Sequence, residues 1–566
     1  MKQNVLITPY SSNMDTALPL SQYPRPTLRR DSYFCLNGEW DFDISAAGNA
    51  PIYDKKILVP YPPESILSGC AEEIPEGSIM HYRRRFTLPE GFVNGRTILH
   101  FGAVDTLCEV YINGTLATKN EGGYIPFSAD ISELLIDENE IVVKVRDDLD
   151  LAYPYGKQTR TRGGMWYTPV SGIWQTVWLE SVPESYIESL KITPSLESVT
   201  IEIFGGEDKK MLTLTDSGEV FEFSGNKITL TPKDIKLWTP DEPNIYNFKI
   251  ECGADTVESY FALREISVKD FGGIPRLALN GKPYLFNGLL DQGYFPDGLF
   301  IPATYDAYRD DILLAKKMGF NMLRKHIKVE PEIFYYLCDT LGIAVFQDMV
   351  NNSSYSFFLD TALPTVGLKS LPDKHRHANK RSREIFEREM YKTQDHLYNF
   401  PSIVYYTVFN EGWGQFCADE MYRRAKAHDE TRVYDATSGW FLQKESDVDS
   451  RHVYFKPVKL GKRIGRPVVI SEFGGYSHRV AGHLFGDANY GYRTFSEMSE
   501  FEDAFIRLYE EEIEPLVPLG VGALVYTQLS DVEDETNGII TYDRAVVKLD
   551  SEKIRPMMER IKSKVF

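Results

Sequence analysis

Residues 305–347 read YDAYRDDILLAKKMGFNMLRKHIKVEPEIFYYLCDTLGIAVFQ. Two apolar patterns alternate in this run. Tyr305–Met318 is an amphipathic helical segment and Phe320–Leu323 an apolar strand; Pro331–Leu341 and Ile343–Gln347 repeat the pair. Strands that are apolar throughout and alternate with helices predict a parallel sheet buried on both faces. The same texture extends outward. Leu285–Leu290 precedes the run, and Ile403–Phe409, Val433–Ala436, His452–Phe455, Val468–Ser471 and Ala523–Thr527 follow, which makes eight strands. Arg381–Tyr398 reads as a further helix, reached from the third strand through a long loop, Val350 to Lys380, of a length that is often functional. Eight such repeats over residues 269–566 match a (β/α)8 TIM barrel, with a doubly wound sheet as the rival arrangement.

Upstream the chain is strand-rich. Residues 1–181 hold short strands such as Tyr82–Leu88, Arg96–Phe101, Glu109–Ile112 and Glu140–Arg146, with Asn113-Gly114 as a hairpin turn. They predict a β-sandwich. After Ser181-Val182-Pro183, residues 182–268 carry Ile187–Ile192, Val199–Phe204, Met211–Leu214, Val220–Phe223, Lys227–Leu230 and Tyr246–Glu251, which suit a small immunoglobulin-like sandwich. The expectation is three domains, with no room for a fourth after the eighth helix.

Composition narrows the partners. The 62 Lys+Arg against 82 Asp+Glu give a net charge of -20, and the basic runs (Arg83-Arg84-Arg85, Lys374 to Arg383) are short, so nucleic acid is excluded as a ligand. No window approaches the ~18 apolar residues of a membrane span. Six scattered cysteines without a CxxC pair argue against a disulfide framework, and the short apolar run at the N-terminus argues against a signal peptide. The expected location is the cytoplasm. The Asn-x-Ser/Thr matches at Asn113, Asn351 and Asn352 are then chance. His375-Arg376-His377 lacks carboxylate or cysteine partners at ligand spacing, so no metal site and no cofactor are expected.

In such a barrel the chemistry sits where strands end. The fourth strand ends in Asn410-Glu411-Gly412-Trp413-Gly414 and the seventh in Ser471-Glu472-Phe473-Gly474-Gly475. Two carboxylates delivered to one rim suit glycoside hydrolysis, in which one group protonates the leaving oxygen and the other attacks or activates water.

These stretches resemble glycoside hydrolase family 2, the group of β-galactosidases, β-glucuronidases and β-mannosidases. Leu36-Asn37-Gly38-Glu39-Trp40-Asp41-Phe42 is similar to the opening of the family's first sandwich, and Val170-Ser171-Gly172-Ile173-Trp174-Gln175 to its closing strand. Pro401-Ser402-Ile403-Val404 through Asn410-Glu411 resembles the acid/base motif, and Ser471-Glu472-Phe473-Gly474 the nucleophile motif. The resemblance covers almost the whole chain. It implies a sugar-binding-like jelly-roll sandwich, an immunoglobulin-like sandwich and a catalytic barrel, and a retaining double displacement. Glu411 would be the acid/base, with a raised pKa, and Glu472 the nucleophile, their carboxyl groups ~5–5.5 Å apart. Asn410 would bind the sugar 2-hydroxyl, and Arg324 would hold the nucleophile ionised. The family's Arg-x-x-His is here Arg324-Lys325-His326. Further substrate-binding candidates on the rim are His326, Asp291, Gln292, Asp348, Trp413, Trp440, His452, Tyr454 and Gln528, with Asp531 beside the last.

The sugar is less plain. The acidic residue that large β-galactosidases place before a Met-Trp pair is absent from Gly163-Gly164-Met165-Trp166, and the Asn-x-Lys of β-glucuronidases is replaced in Glu535-Thr536-Asn537-Gly538. The expectation is an exo-β-glycosidase acting on β-galactosides or a related hexoside, as a possible homo-oligomer. The alternatives are a β-uronidase using another base such as Lys325 or Lys328, and a non-catalytic carbohydrate-binding protein on the same scaffold.

Overall fold

Seven of the eight expected apolar runs become strands with every residue buried. The computed structural model describes residues 5–365, 372–461 and 464–565. Eight strands form one parallel sheet: β1 (Phe286–Asp291), β2 (Met322–Lys325), β3 (Ala344–Asp348), β4 (Ile403–Asn410), β5 (Val433–Ser438), β6 (Asp449–Val453), β7 (Val468–Gly474) and β8 (Val521–Thr527). Their order is β5-β4-β3-β2-β1-β8-β7-β6, with β1 ladder-bonded to both β2 and β8. The sheet curls until β5 and β6 lie side by side, without a ladder among the described residues. This is a nearly closed (β/α)8 barrel, as expected.

The outer helices are α1 (Asp306–Lys317), α2 (Glu332–Leu341), α3 (Lys380–Leu397), α4 (Ala418–His428), α5 (Met498–Arg507) and α6 (Ser551–Lys562). The Asn379 side chain caps α3 by accepting from Ser382 N, and Gly342, at φ 79°, ends α2 in a left-handed turn that lets β3 start. The eightfold alternation is incomplete. Among the described residues no helix stands between β5 and β6 or between β6 and β7, where loops make the crossing.

Two layers of core hold the barrel. Ile312, Met318, Tyr335, Phe386 and Met558 lie in the cluster between strands and helices. Inside, Phe286, Met322, Phe346 and Tyr405 join a cluster with Trp238, Leu277 and Leu279 from strands and loops ahead of β1. Phe346 and Tyr405 stack with ring centroids 4.1 Å apart. Each such side chain contributes ~1.5–3 kcal/mol by leaving water. Arg264, also ahead of β1, donates to Pro401 O and Ile403 O at 2.9 Å each and so pins the start of β4.

The first sandwich packs a six-stranded sheet against a four-stranded one. Its hairpin Leu107–Ile112/Thr115–Glu121 turns at Asn113 and Gly114, at φ 50° and 80°, the left-handed pair that the Asn-Gly signal predicts. The second sandwich has sheets of three and four strands, including Asp255–Phe261, which the sequence reading did not assign. The expected boundary at residue 268 lies within the strand Ile266–Phe271. Among the described residues no helix is long and apolar enough to cross a membrane.

Candidate active site

β4 and β7 bring Glu411 and Glu472 together. Glu472 lies inside β7, and Glu411 is the first residue beyond β4. Glu411 has φ 50° and Gly412 φ 80°, so the chain leaves the strand through two left-handed residues. For a glutamate that conformation costs ~1–2 kcal/mol. It is held by Glu411 N donating to Ser438 O at 2.9 Å. One carboxylate oxygen of Glu411, one of Glu472 and a ring nitrogen of His452 all lie within 4.8 Å of one another.

A buried carboxylate needs cationic and hydrogen-bonding partners. Burial lifts the Glu472 carboxyl above the ordinary glutamate range; His452 and Arg324 pull it back and the Glu411 charge pushes it up. Arg324, 1 % exposed, is the centre of the support. Its Nη1 donates to Glu472 Oε1 at 3.1 Å and to Ser471 O at 2.9 Å, its Nε to Asp348 at 3.0 Å, and its Nη2 to Asn410 Oδ1 at 2.8 Å. Burial opposes the guanidinium charge, but Asp348 and Glu472 outweigh it and raise its pKa. Burial likewise opposes the Asp348 charge, yet Arg324 and His326 hold that carboxyl at about 2. Tyr454 donates to Glu472 Oε2 and stays a phenol, because burial and the Glu472 charge both raise its pKa.

The acid/base candidate has a histidine behind it. His452 Nδ1 lies 2.7 Å from Glu411 Oε1 and 3.5 Å from Glu472 Oε2, and its Nε2 is 2.9 Å from Ser438 Oγ. The ring fits because residue 439 is glycine: a Cβ there would sit 2.6 Å from it.

The two carboxylates line a narrow cavity at the C-terminal mouth of the barrel, also lined by Asn410, His326, Trp413 and Tyr454. Arg324 fixes the Asn410 amide by its oxygen, so the NH2 is free to donate, and it has no partner. Trp413 Nε1 is likewise unpartnered. Burial lowers His326 to about 3, so the ring is neutral; with Nδ1 donating to Asp348 Oδ2 at 2.7 Å, Nε2 is left as an acceptor. Gln292 also lines the cavity. A larger groove, lined by Ile235, Tyr284 and Lys562, lies elsewhere and neither carboxylate faces it.

Five expected substrate-binding residues support the site from behind and do not line the cavity. Asp291 is engaged by Lys325 Nζ at 2.6 Å and Gly293 N at 2.9 Å. Asp348 lies beneath Arg324 and His326, and His452 lies behind Glu411. Trp440 packs on His452, with centroids 5.5 Å apart. Gln528 donates to Glu535 Oε2 at 2.7 Å and accepts from Gln292 at 2.9 Å, so it stands one layer back. Asp531 turns to Lys548 Nζ at 2.7 Å. Lys325 and Lys328, suggested above for a uronate, are both bonded to Glu330 and are absent from the lining.

The cavity also has lining residues outside the expected set. Lys157 and Met165 come from the first sandwich, Tyr492 from the loop after β7, and Glu535 from the loop after β8. Tyr492 stacks on Tyr454 with centroids 3.8 Å apart, which requires glycine at 475, where a Cβ would lie 2.2 Å from its ring. The sandwich segment is clamped to the mouth: Tyr155 N donates to Asn351 O at 3.0 Å, Thr168 N to Glu533 Oε1 at 2.8 Å, and Trp166 lies 5.4 Å from Trp413. In the long loop, Tyr355 packs 5.6 Å from Trp413, while Phe357 and Phe358 are exposed; its residues 366–371 lie outside the described residues.

Residues 32–183 match the family described as glycosyl hydrolases family 2, sugar binding domain, and residues 275–545 match its TIM barrel domain. A β-galactosidase of Photobacterium profundum is 24% identical over 86% of this chain and 52% of its own length. A β-galactosidase of Thermoanaerobacter pseudethanolicus is 27% identical over 47% of this chain and 39% of its own. The chain spans about half the length of the curated relatives it matches, or less. Among solved structures, a β-D-glucuronidase of Dictyoglomus thermophilum superposes with a TM-score of 0.74 at 19% identity, over 95% of this chain and 98% of that one.

Proposed function

The chain belongs to glycoside hydrolase family 2, and from that premise we propose that it is a retaining exo-β-glycosidase that removes a terminal β-linked hexose, β-galactosides foremost. The observation that carries this reading is the closeness of the two glutamates. One oxygen of Glu411 and one of Glu472 lie within 4.8 Å of each other, which suits the ~5–5.5 Å carboxyl separation of retaining enzymes better than the ~6.5–9.5 Å of inverting ones.

On this reading Glu472 attacks the anomeric carbon while Glu411 gives its proton to the departing oxygen. The bond to the aglycone breaks as the glycosyl–Glu472 ester forms, with inversion. Formation of the ester removes the negative charge of Glu472, so Glu411, now a carboxylate, can take a proton from water. The water opens the ester with a second inversion, and β configuration returns. Arg324 and Tyr454 keep Glu472 a carboxylate in the free enzyme. The free Asn410 NH2 is placed to donate to a sugar hydroxyl beside the anomeric carbon.

A panel of p-nitrophenyl glycosides tests the reading. Release from β-linked and not α-linked sugars is expected; no release from any β-glycoside by folded protein would sink it. Turnover equal to that of Glu411→Gln would favour a binding protein.

The electrostatics also set a pH profile. Glu472 must be deprotonated to attack, and burial raises its pKa. Activity is therefore lost as pH falls through a value above the ordinary glutamate range, and the acid limb of kcat/KM is expected above pH ~4.3. An acid limb below that value would contradict Glu472 as nucleophile.

A second reading, hydrolysis of β-uronides, is favoured by one observation. Lys157 is the one lysine or arginine among the described lining residues, and it would meet a uronate if Glu535 did not offset its charge.

A further inference from the structure

Lys157 and Glu535 share the cavity with the catalytic pair, and neither belongs to the barrel's strand ends. Lys157 is 7 % exposed and Glu535 3 % exposed. Both charges are thus largely withdrawn from water, where an unmatched charge is costly. They feel each other, since Lys157 offsets the burial that raises Glu535. Yet among the described residues no carboxylate oxygen stands within 4 Å of the Lys157 ammonium, so the two are not an ion pair.

Each is fixed separately. Gln528 Nε2 donates to Glu535 Oε2 at 2.7 Å, and the same amide is anchored by Asn537 Oδ1 at 2.7 Å and by Gln292 at 2.9 Å. Lys157 is held by Tyr167 N donating to its carbonyl at 3.0 Å, and its ammonium stands over the Tyr167 and Trp413 rings at 5.5 and 5.9 Å. The result is a donor and an acceptor that face one space without closing on each other. Sugar hydroxyls suit such a pair, since a hydroxyl can accept from an ammonium and donate to a carboxylate.

Resting on the glycosidase reading above, we propose that Lys157 and Glu535 form a neutral clamp that selects an uncharged β-hexoside by its hydroxyls and rejects a β-hexuronide. The charge balance decides this. Arg324 already serves both Asp348 and Glu472, His326 is neutral, and the Lys157 charge is met by that of Glu535. A uronate would add one negative charge with nothing left to meet it, next to the buried Glu535 carboxylate. A site built around buried polar groups discriminates strongly against the wrong partner.

The test compares kcat/KM for p-nitrophenyl β-D-galactoside and β-D-glucoside with that for the β-D-glucuronide and β-D-galacturonide, in wild type, Glu535→Gln and Lys157→Met. Wild type should favour the neutral sugars at least about tenfold. Glu535→Gln leaves the clamp positive and should lower that preference about tenfold or more by raising uronide turnover. Lys157→Met leaves it negative and should widen the preference while slowing the neutral sugars. A defect in folding lowers all substrates alike and leaves the ratio in place, so opposite movement of the ratio in the two variants supports the clamp. Faster wild-type turnover of a uronide, or movement of the ratio in the same direction in both variants, overturns the clamp and leaves the glycosidase reading intact. No turnover of any of the four takes both down.

Discussion

Glu472→Ala is expected to abolish turnover of an aryl β-glycoside and, with added azide, to release the α-glycosyl azide. The loss should reach ~10⁴-fold or more, because the nucleophile is removed while binding and proton donation remain. The alanine leaves a hole on the face from which Glu472 attacks, and a small anion there can displace the aglycone with one inversion. Glu411 still supplies the proton. Product stereochemistry is the deciding readout, by proton NMR of the azide. A β-azide would mean that the vacated side is the leaving-group side, and the two glutamates would exchange roles.

The second large effect belongs to a residue that never meets the sugar. Arg324→Met should cost ~3–5 kcal/mol of stability, the range for removing one partner from a buried charged group. Asp348 and Glu472 would both lose their guanidinium contacts, at 3.0 and 3.1 Å. Asn410 would also lose the bond that orients its amide. Because Arg324 lowers Glu472, its removal should move the acid limb of kcat/KM to higher pH and reduce kcat by ~10²-fold or more. Arg324→Lys retains charge but cannot reach Asp348, Glu472 and Asn410 together, so it should recover stability better than activity. Unchanged denaturant unfolding together with an unmoved acid limb would show that the Asp348 and Glu472 charges are met without the arginine.

What the sequence made legible follows from how much of each signal is local. Barrel strands buried on both faces are written as unbroken apolar runs, and seven were located to within a few residues. β6 was displaced: it runs Asp449–Val453, where His452–Phe455 was expected. Its first residues are Asp449, Ser450 and Arg451, which no apolar reading selects. They are buried or half-buried because Arg451 pairs with Asp449 and Ser450 Oγ meets Ser471 Oγ at 2.6 Å. The loops that replace two helices were hidden because a closed barrel needs covered strands and does not need every cover to be helical.

The site divides in the same way. Glu411, Glu472 and Arg324 stand at the ends of recognisable strands, so their meeting could be expected. His452 was placed on the rim, but its side turned out to be the one behind Glu411, which depends on a bend between strand and loop that residue order does not encode. Lys157, Tyr492 and Glu535 carry no local mark. Lys157 in particular belongs to a different sandwich, and only the folded chain brings it to the catalytic pair.

That segment between Tyr153 and Val170 has a consequence for how the protein comes into being. The first sandwich is synthesised before any barrel strand, so one wall of the pocket emerges long before the carboxylates that it will face. A finished barrel is not yet a finished pocket. Completing the pocket requires the sandwich segment to dock on the barrel mouth, and docking is slower than strand or helix formation. Refolded protein can thus regain its full secondary structure while still blind to substrate, and the moment at which it begins to turn over marks the closing of a seam.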